Sequence, residues 1–246
     1  MAETRYFAID PDSVKGDEVV LGGEEFHHLI RVVRARKGAE VRLLDGKGGV
    51  YRAALRDIGK DEAIFDILDR TVHERPRAID IAISAIKVPR LDLVAEKCSE
   101  IGLRRLIIFS SDRSLRRPGK RGDKGKTERF RRKVLSACKQ SGQPFFTEIA
   151  QYGGLEGVID IFADYRHVYL ADHGGTSCTD DGIARSEGAT LGIVGPEGGF
   201  ADDERGRMVS AGATILSLGD HRLRSETAAI CLLFALRSCL CAPTGD

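Results

Sequence analysis

The chain reads as an α/β protein of two domains: a small β-barrel over residues 1–72 and a mostly parallel sheet covered by helices over residues 73–246. Three observations predict this. Short half-apolar segments bounded by glycine turns fill the first stretch, apolar runs alternate with helical patterns from Ala78 onward, and the last two apolar runs each end in a glycine loop that leads into a helix. With 246 residues, 42% of them hydrophobic, the chain can bury a sizeable core. No apolar run reaches the roughly 20 residues that span a bilayer. The start, Met-Ala-Glu-Thr-Arg, lacks the apolar centre of a signal peptide, so the cytoplasm is the expected compartment and no membrane partner is expected.

In the first domain, strands are expected at Arg5–Ile9, Glu18–Leu21, Glu40–Leu44, Val50–Ile58 and Glu62–Leu68. Asp45-Gly-Lys-Gly-Gly49 and Gly59-Lys-Asp61 are the turn signals between the later ones. One amphipathic helix, Glu24–Arg34, sets Phe26, Leu29, Ile30 and Val33 on one side. Thr71–Arg77, with Pro76, reads as a linker. The second domain then runs strand Ile79–Ile86, helix Leu91–Ile101, strand Leu106–Phe109, helix Lys126–Gln140, strand Phe145–Ile149, helix Leu155–Phe162 and strand His167–Ala171. Strand Ala189–Val194 and strand Ala213–Leu218 follow, each feeding a helix, the last of which reaches Leu240. Such alternation implies a parallel sheet with helices on both faces.

A net charge of +1 conceals an asymmetry. Between Arg113 and Lys133, eleven Lys or Arg residues stand against Asp123 and Glu128, a local +9. A segment of this kind attracts a phosphate backbone, and Arg116, Arg117, Lys120 and Arg121 at its centre are candidate nucleic-acid-binding residues. No aromatic residue lies between Leu115 and Lys126, which favours backbone contact over base reading. His27 and His28 point about 100° apart on a helix and lack a carboxylate pair, so they do not read as a metal site. With Arg31, Arg34 and Arg36 they form a cationic surface suited to phosphates. The six cysteines are scattered with no C-x-x-C pair and read as reduced thiols, Cys231 and Cys239 in the apolar last helix as small hydrophobes.

The two glycine loops carry the chemistry. Gly195-Pro-Glu-Gly-Gly-Phe200 and Leu218-Gly-Asp-His-Arg-Leu-Arg-Ser-Glu-Thr-Ala228 both follow apolar strands and precede helix starts. Paired loops at the carboxyl ends of adjacent parallel strands form ligand crevices. Neither fits the dinucleotide fingerprint or a P-loop. Arg113, just past the strand that ends near Phe109, belongs to the same end of the sheet. No nucleophile elbow, Ser-His-Asp order or carboxylate dyad stands out, which leaves group transfer by positioning.

Glu96-Lys97-Cys98-Ser99-Glu100-Ile101-Gly102, Asp112-Arg113-Ser114, Lys139-Gln140-Ser141-Gly142 and the two glycine loops, together with His27–Arg34 and Leu44-Asp45-Gly46, resemble the uridine-N3 methyltransferases of small-subunit ribosomal RNA. That family belongs to the knotted SPOUT class. The resemblance covers nearly the whole chain. It implies a PUA-like RNA-binding barrel and a second domain whose C-terminal chain threads a trefoil knot. It implies that S-adenosylmethionine is held by Leu170, Ala171 and Asp172, by Gly195, Pro196, Glu197, Gly198 and Gly199, and by Leu216, Leu218, Gly219, Leu223 and Thr227. It further implies a homodimer with the site at the subunit interface, 16S rRNA within the 30S subunit as substrate, and no metal. Arg113 and Arg224 are then the candidate catalytic cations. The family usually has arginine at Gln143, proline and arginine at Asp220 and His221, isoleucine at Arg222, and Ser or Thr at Ala201. A non-catalytic RNA-binding protein built on the barrel and the basic segment is the alternative reading, and failure to bind S-adenosylmethionine marks it.

Overall fold

The computed structural model describes residues 5–114, 124–178, 182–184 and 186–241. The chain divides into two compact units, one comprising Met1–Arg75 and Leu135–Phe146, the other Pro76–Val134 and Thr147–Asp246.

Six strands build the first unit: β1 (Tyr6–Ala8), β2 (Val14–Lys15), β3 (Glu18–Gly22), β4 (Glu40–Leu44), β5 (Gly49–Ile58) and β6 (Glu62–Val72). They form one sheet in the order β1-β4-β5-β6-β3-β2, in which only the β1–β4 pair is parallel. Among the described residues β1 and β2 do not pair with each other, so hydrogen bonding does not close the expected barrel. Alternation sorts each strand: Val41 and Leu43 of β4 are buried while Glu40 and Arg42 are exposed. Phe7, Leu21, Leu43, Leu55 and Phe65 meet in the core. The strand β6 continues to Val72, so Thr71 and Val72 are strand and not linker. Asp45 shapes the turn before β5, its Oδ1 accepting from the Lys47 and Gly49 N–H groups at 2.8 Å each.

The single helix expected at Glu24–Arg34 is two windings. Helix α1 (Gly23–His27) passes directly into a π-helical stretch, His28–Val33, that ends on Arg34 at φ 54°. Phe26 and Leu29 still face the core, because the change of winding falls after the first turn.

In the second unit β7 (Ile79–Ser84), β8 (Arg105–Phe109), β9 (Glu148–Gln151), β10 (His167–Ser177), β11 (Thr190–Val194) and β12 (Thr214–Ser217) form a wholly parallel sheet, ordered β12-β10-β11-β7-β8-β9. Every residue of β7 and β11 is buried, as strands covered on both faces require. Helices α2 (Val88–Ile101), α3 (Lys124–Ser141), α4 (Leu155–Ile159), α5 (Asp202–Ser210) and α6 (Ser225–Cys241) complete the chain. The start of α2 lies earlier than its apolar period suggests because Pro89 suits a helix's first turn. The strand β10 outruns its expected end at Ala171 and meets β12 again at Thr176 and Ser177 after a register shift.

Helix α6 packs on α2, β7 and β11. It comes so close that a Cβ on Gly192 of β11 would sit 2.6 Å from Leu232. Its Ala229, Leu232, Leu233 and Leu236 are buried. Cys231, expected as a small core hydrophobe, is exposed instead, since the helical period places it on the outer face with Thr227 and Phe234. The Cys98 thiol is the opposite case: burial pushes it up to about 12, which leaves it inert.

Candidate active site

The carboxyl ends of β10, β11 and β12 surround a cavity of about 270 Å³. One wall is the loop after β11, where Pro196–Gly199 makes a turn closed by the Gly199 N–H on the Pro196 carbonyl at 2.9 Å. Gly199 takes φ +70°, a backbone state that side chains resist. Phe200 then turns inward and stacks on Phe109, ring centroids 6.3 Å apart. The loop after β12, Leu218–Arg224, forms the opposite wall. Gly219 sits at φ +121°, and none of Leu218–Leu223 makes a backbone–backbone hydrogen bond among the described residues. The Gly219 carbonyl takes the Ser217 hydroxyl at 3.2 Å, and the other main-chain groups of this wall, without a partner among the described residues, are open to a ligand.

Side chains brace the first loop from two sides. Glu204, the third residue of α5 and 2% exposed, accepts from the Ala201 N–H at 3.0 Å and the Asp112 N–H at 2.8 Å. Its carboxylate supplies only the reciprocal half of a capping box, the bond to the N-cap N–H, because Ala201 has no side-chain oxygen to accept from the helix's first turn. Arg113 donates to the carbonyls of Gly198 and Phe200 at 3.1 and 3.3 Å. On the other side Arg90 of α2 donates to Glu197 Oε1 at 2.9 Å, and its Nε lies 3.6 Å from Glu226 Oε1 on α6. Arg222 adds a bond from the second loop to the Glu197 carbonyl at 2.7 Å. Even so, Glu197 Oε2 and Glu226 Oε2 are buried without a partner.

Of the residues expected at the donor site, Ala171, Asp172, Gly195, Pro196, Glu197, Gly199, Leu218, Gly219 and Leu223 line this cavity. Leu170 and Leu216 are core residues, fully buried beneath it. Gly198 turns toward Arg113, whose Cβ lies 3.4 Å from where its own Cβ would be, and Thr227 is exposed on α6. Arg224 lines the cavity, whereas Arg113 reaches the loop carbonyls and not the cavity. Sequence reasoning missed Arg90 altogether, because it lies 107 positions from Glu197 and its helix showed only an apolar period.

A family model described as an RNA methyltransferase domain matches residues 73–237, and one described as an RNA methyltransferase PUA domain matches residues 21–68. The chain belongs to this RNA methyltransferase family. Among its relatives is "Ribosomal RNA small subunit methyltransferase E" of Mycobacterium bovis, 29% identical with 94% of this chain and 90% of that protein covered. The protein of the same name from Bacillus subtilis is 26% identical, with 87% of each covered. A solved "Ribosomal RNA small subunit methyltransferase E from Neisseria gonorrhoeae bound to S-adenosyl methionine" superposes with a TM-score of 0.84 at 27% identity, over 97% of this chain and 98% of that one. The resemblance read from the motifs is thus borne out at the level of the family.

In the first unit of this methyltransferase, His27, His28, Arg31, Arg34 and Arg36 are all exposed. Arg116, Arg117, Lys120 and Arg121 lie outside the described residues. The motif Lys139–Gly142 belongs to this unit: Lys139 pairs with Glu25 at 2.5 Å, and Gly142 ends α3 at φ +69°. Gln143 donates its N–H to the Cys138 carbonyl, part of the same helix end. Among the described residues no group of three or more His, Cys, Asp or Glu is placed to hold a metal ion, and no helix is long and apolar enough to cross a membrane.

Proposed function

We propose that this chain transfers a methyl group from S-adenosylmethionine to N3 of a uridine in small-subunit ribosomal RNA, acting in the cytoplasm as a homodimer. The carrying observation is the cavity between the two glycine loops, with main-chain groups along Leu218–Leu223, the Gly219 carbonyl excepted, that take no partner among the described residues. Hydroxyl, amino and adenine-edge groups of the donor suit those partners, and Val194, Phe200, Leu218 and Leu223 offer apolar surface to a flat ring. When bound, the donor supplies a methyl group already activated on a positively charged sulfur.

The remaining work falls to the protein: holding N3 in line and easing loss of its proton. A cation beside the uracil stabilises the developing anion. Arg224 takes that role in our reading, since it borders the cavity with no ion pair among the described residues. Arg113 acts from behind, keeping the first loop in shape. The dimer is supported by the outer face of α6, where Phe234 is 64% exposed beside Cys231. A trefoil knot is supported by the return of α6 from β12, at the sheet edge, to β7 and β11 at its centre.

Purified protein given labelled donor and 30S subunits from a strain without the enzyme should label one uridine, and nucleoside mass spectrometry should place the label at N3. Unlabelled subunits would sink the catalytic reading. Label at another atom would sink the N3 assignment alone, and sedimentation as a single chain would sink the dimer.

A further inference from the structure

The two walls of the donor cavity are held unequally. Around the first loop, Arg90 grips the Glu197 carboxylate at 2.9 Å, Arg113 reaches the Gly198 and Phe200 carbonyls, and Glu204 takes the Ala201 N–H. The second loop has no such scaffold. At its start Gly219 holds φ +121°, and nothing lies within 4 Å of where a Cβ would stand, so no packing neighbour pins it there. The bond from the Ser217 hydroxyl to the Gly219 carbonyl joins the loop only to the strand it leaves.

One bond leads from this loop to another element. Arg222 donates through Nη2 to the Glu197 carbonyl at 2.7 Å, and among the described residues no other hydrogen bond or ion pair carries Leu218–Leu223 beyond Ser217. Arg222 and Glu197 line the cavity from opposite walls. Their bond is exposed to solvent, which puts it at the mouth of the cavity and not above the buried floor at Leu170 and Leu216. Glu197 is thus held twice, by its carboxylate from α2 and by its carbonyl from the second loop. The Arg222 guanidinium meets no carboxylate among the described residues, so what it contributes is reach and a donor. The isoleucine usual in the family at this position has no donor to offer.

We propose that Arg222 is a positioning residue for the methyl donor, a latch that fastens the unscaffolded wall to the fixed one across the cavity mouth and slows escape of the bound ligand. The proposal rests on the S-adenosylmethionine reading of this cavity and deepens it. With the latch fastened, the ligand leaves only when the bond between Arg222 and the Glu197 carbonyl opens. Loss of the bond therefore appears in the dissociation rate more than in the rate of entry. Because the latch acts on the loop and not on the charge of the ligand, it treats the cationic donor and its neutral-sulfur product, S-adenosylhomocysteine, alike.

The test is an Arg222→Met variant of the full chain, which keeps the apolar stem and removes the donor. Stopped-flow chase experiments with S-adenosylmethionine and with S-adenosylhomocysteine should show dissociation about fivefold faster for both, and calorimetry a matching rise in Kd. The thermal midpoint without ligand should hold, since the bond is exposed. Arg222→Lys should restore part of the slow release, because an ammonium can still donate to the carbonyl. Unchanged dissociation of both ligands from the folded Arg222→Met protein would overturn the latch. Slower release of S-adenosylmethionine beside faster release of S-adenosylhomocysteine would assign Arg222 to the sulfonium charge and overturn it too, because removing a cation favours the cationic ligand alone. Faster release of both from the variant, beside a wild-type protein that labels no RNA, would keep the latch and sink the catalytic reading.

Discussion

At the amino ends of the parallel strands, the Asp80 carboxylate is fully buried and fully partnered. It accepts from Arg104 at 2.7 Å through each oxygen, from Arg105 at 3.0 Å and from the Tyr165 hydroxyl at 2.5 Å. Burial and the neighbouring Asp80 push the Tyr165 hydroxyl up to about 12, so it stays a donor at any working pH. At the carboxyl ends, two carboxylates share Arg90 and each keeps a buried oxygen with no partner. The loops there hold glycines at positive φ. One end uses charge to lock the sheet, and the other leaves carboxylate oxygens without a partner beside the cavity. Substitutions at the first end should therefore register in stability, and those at the second in binding.

The heaviest loss is expected at the locked end. Asp80→Ala would leave two guanidiniums and a hydroxyl half-buried without their carboxylate, at a cost of about 3–5 kcal/mol. Denaturant unfolding at neutral pH measures it, with Tyr165→Phe as a milder companion costing about 1 kcal/mol. Losses below about 1 kcal/mol for Asp80→Ala would remove the contrast between the two ends.

Arg90→Met probes the other end. It deprives Glu197 and Glu226 of their shared cation and frees the two loops from a common anchor. S-adenosylmethionine affinity should fall about tenfold, with a smaller stability loss of about 1–2 kcal/mol. Arg90→Lys should recover part of the affinity, since a point charge can serve one carboxylate but not fork between two. A stability loss equal to that of Asp80→Ala with unchanged donor affinity would mean that both ends merely hold the fold.

How much of this contrast the sequence discloses follows from the range of each interaction. The strand–loop–helix order around Gly195 and Gly219 is local, and the cavity forms between those loops. The facing of β4 is legible too, because alternation of Val41 and Leu43 with Glu40 and Arg42 is a local signal. Arg90 and the Asp80 partners are not, since they join residues far apart in the chain and each alone looks like a solvated charge. Arg34 escapes for another reason: left-handed positions announce themselves through Gly or Asn, and here an arginine occupies one. Leu135–Phe146 reads as a helix end and a strand start in the second domain but belongs to the first unit, a tertiary outcome that local periodicity does not encode.

The mildest effect separates the two ends by pH. His167 begins β10, at the same end as Asp80, with Nε2 2.6 Å from Ser186 Oγ. Burial first, and the nearby Arg166 second, lower its pKa from the ordinary histidine value. The unfolded chain therefore takes up a proton at a higher pH than the folded one. Stability should hold above about pH 6.5 and decline as pH falls from there toward the lowered folded value, below which the decline stops. His167→Gln should remove that part of the slope and leave the rest of the acid profile unchanged. Thermal midpoints of the two proteins between neutral and mildly acidic pH decide it: parallel curves would show that His167 carries no part of the acid slope, whereas curves that converge on acidification would place a proton-sensitive contact at the same end of the sheet as the Asp80 network.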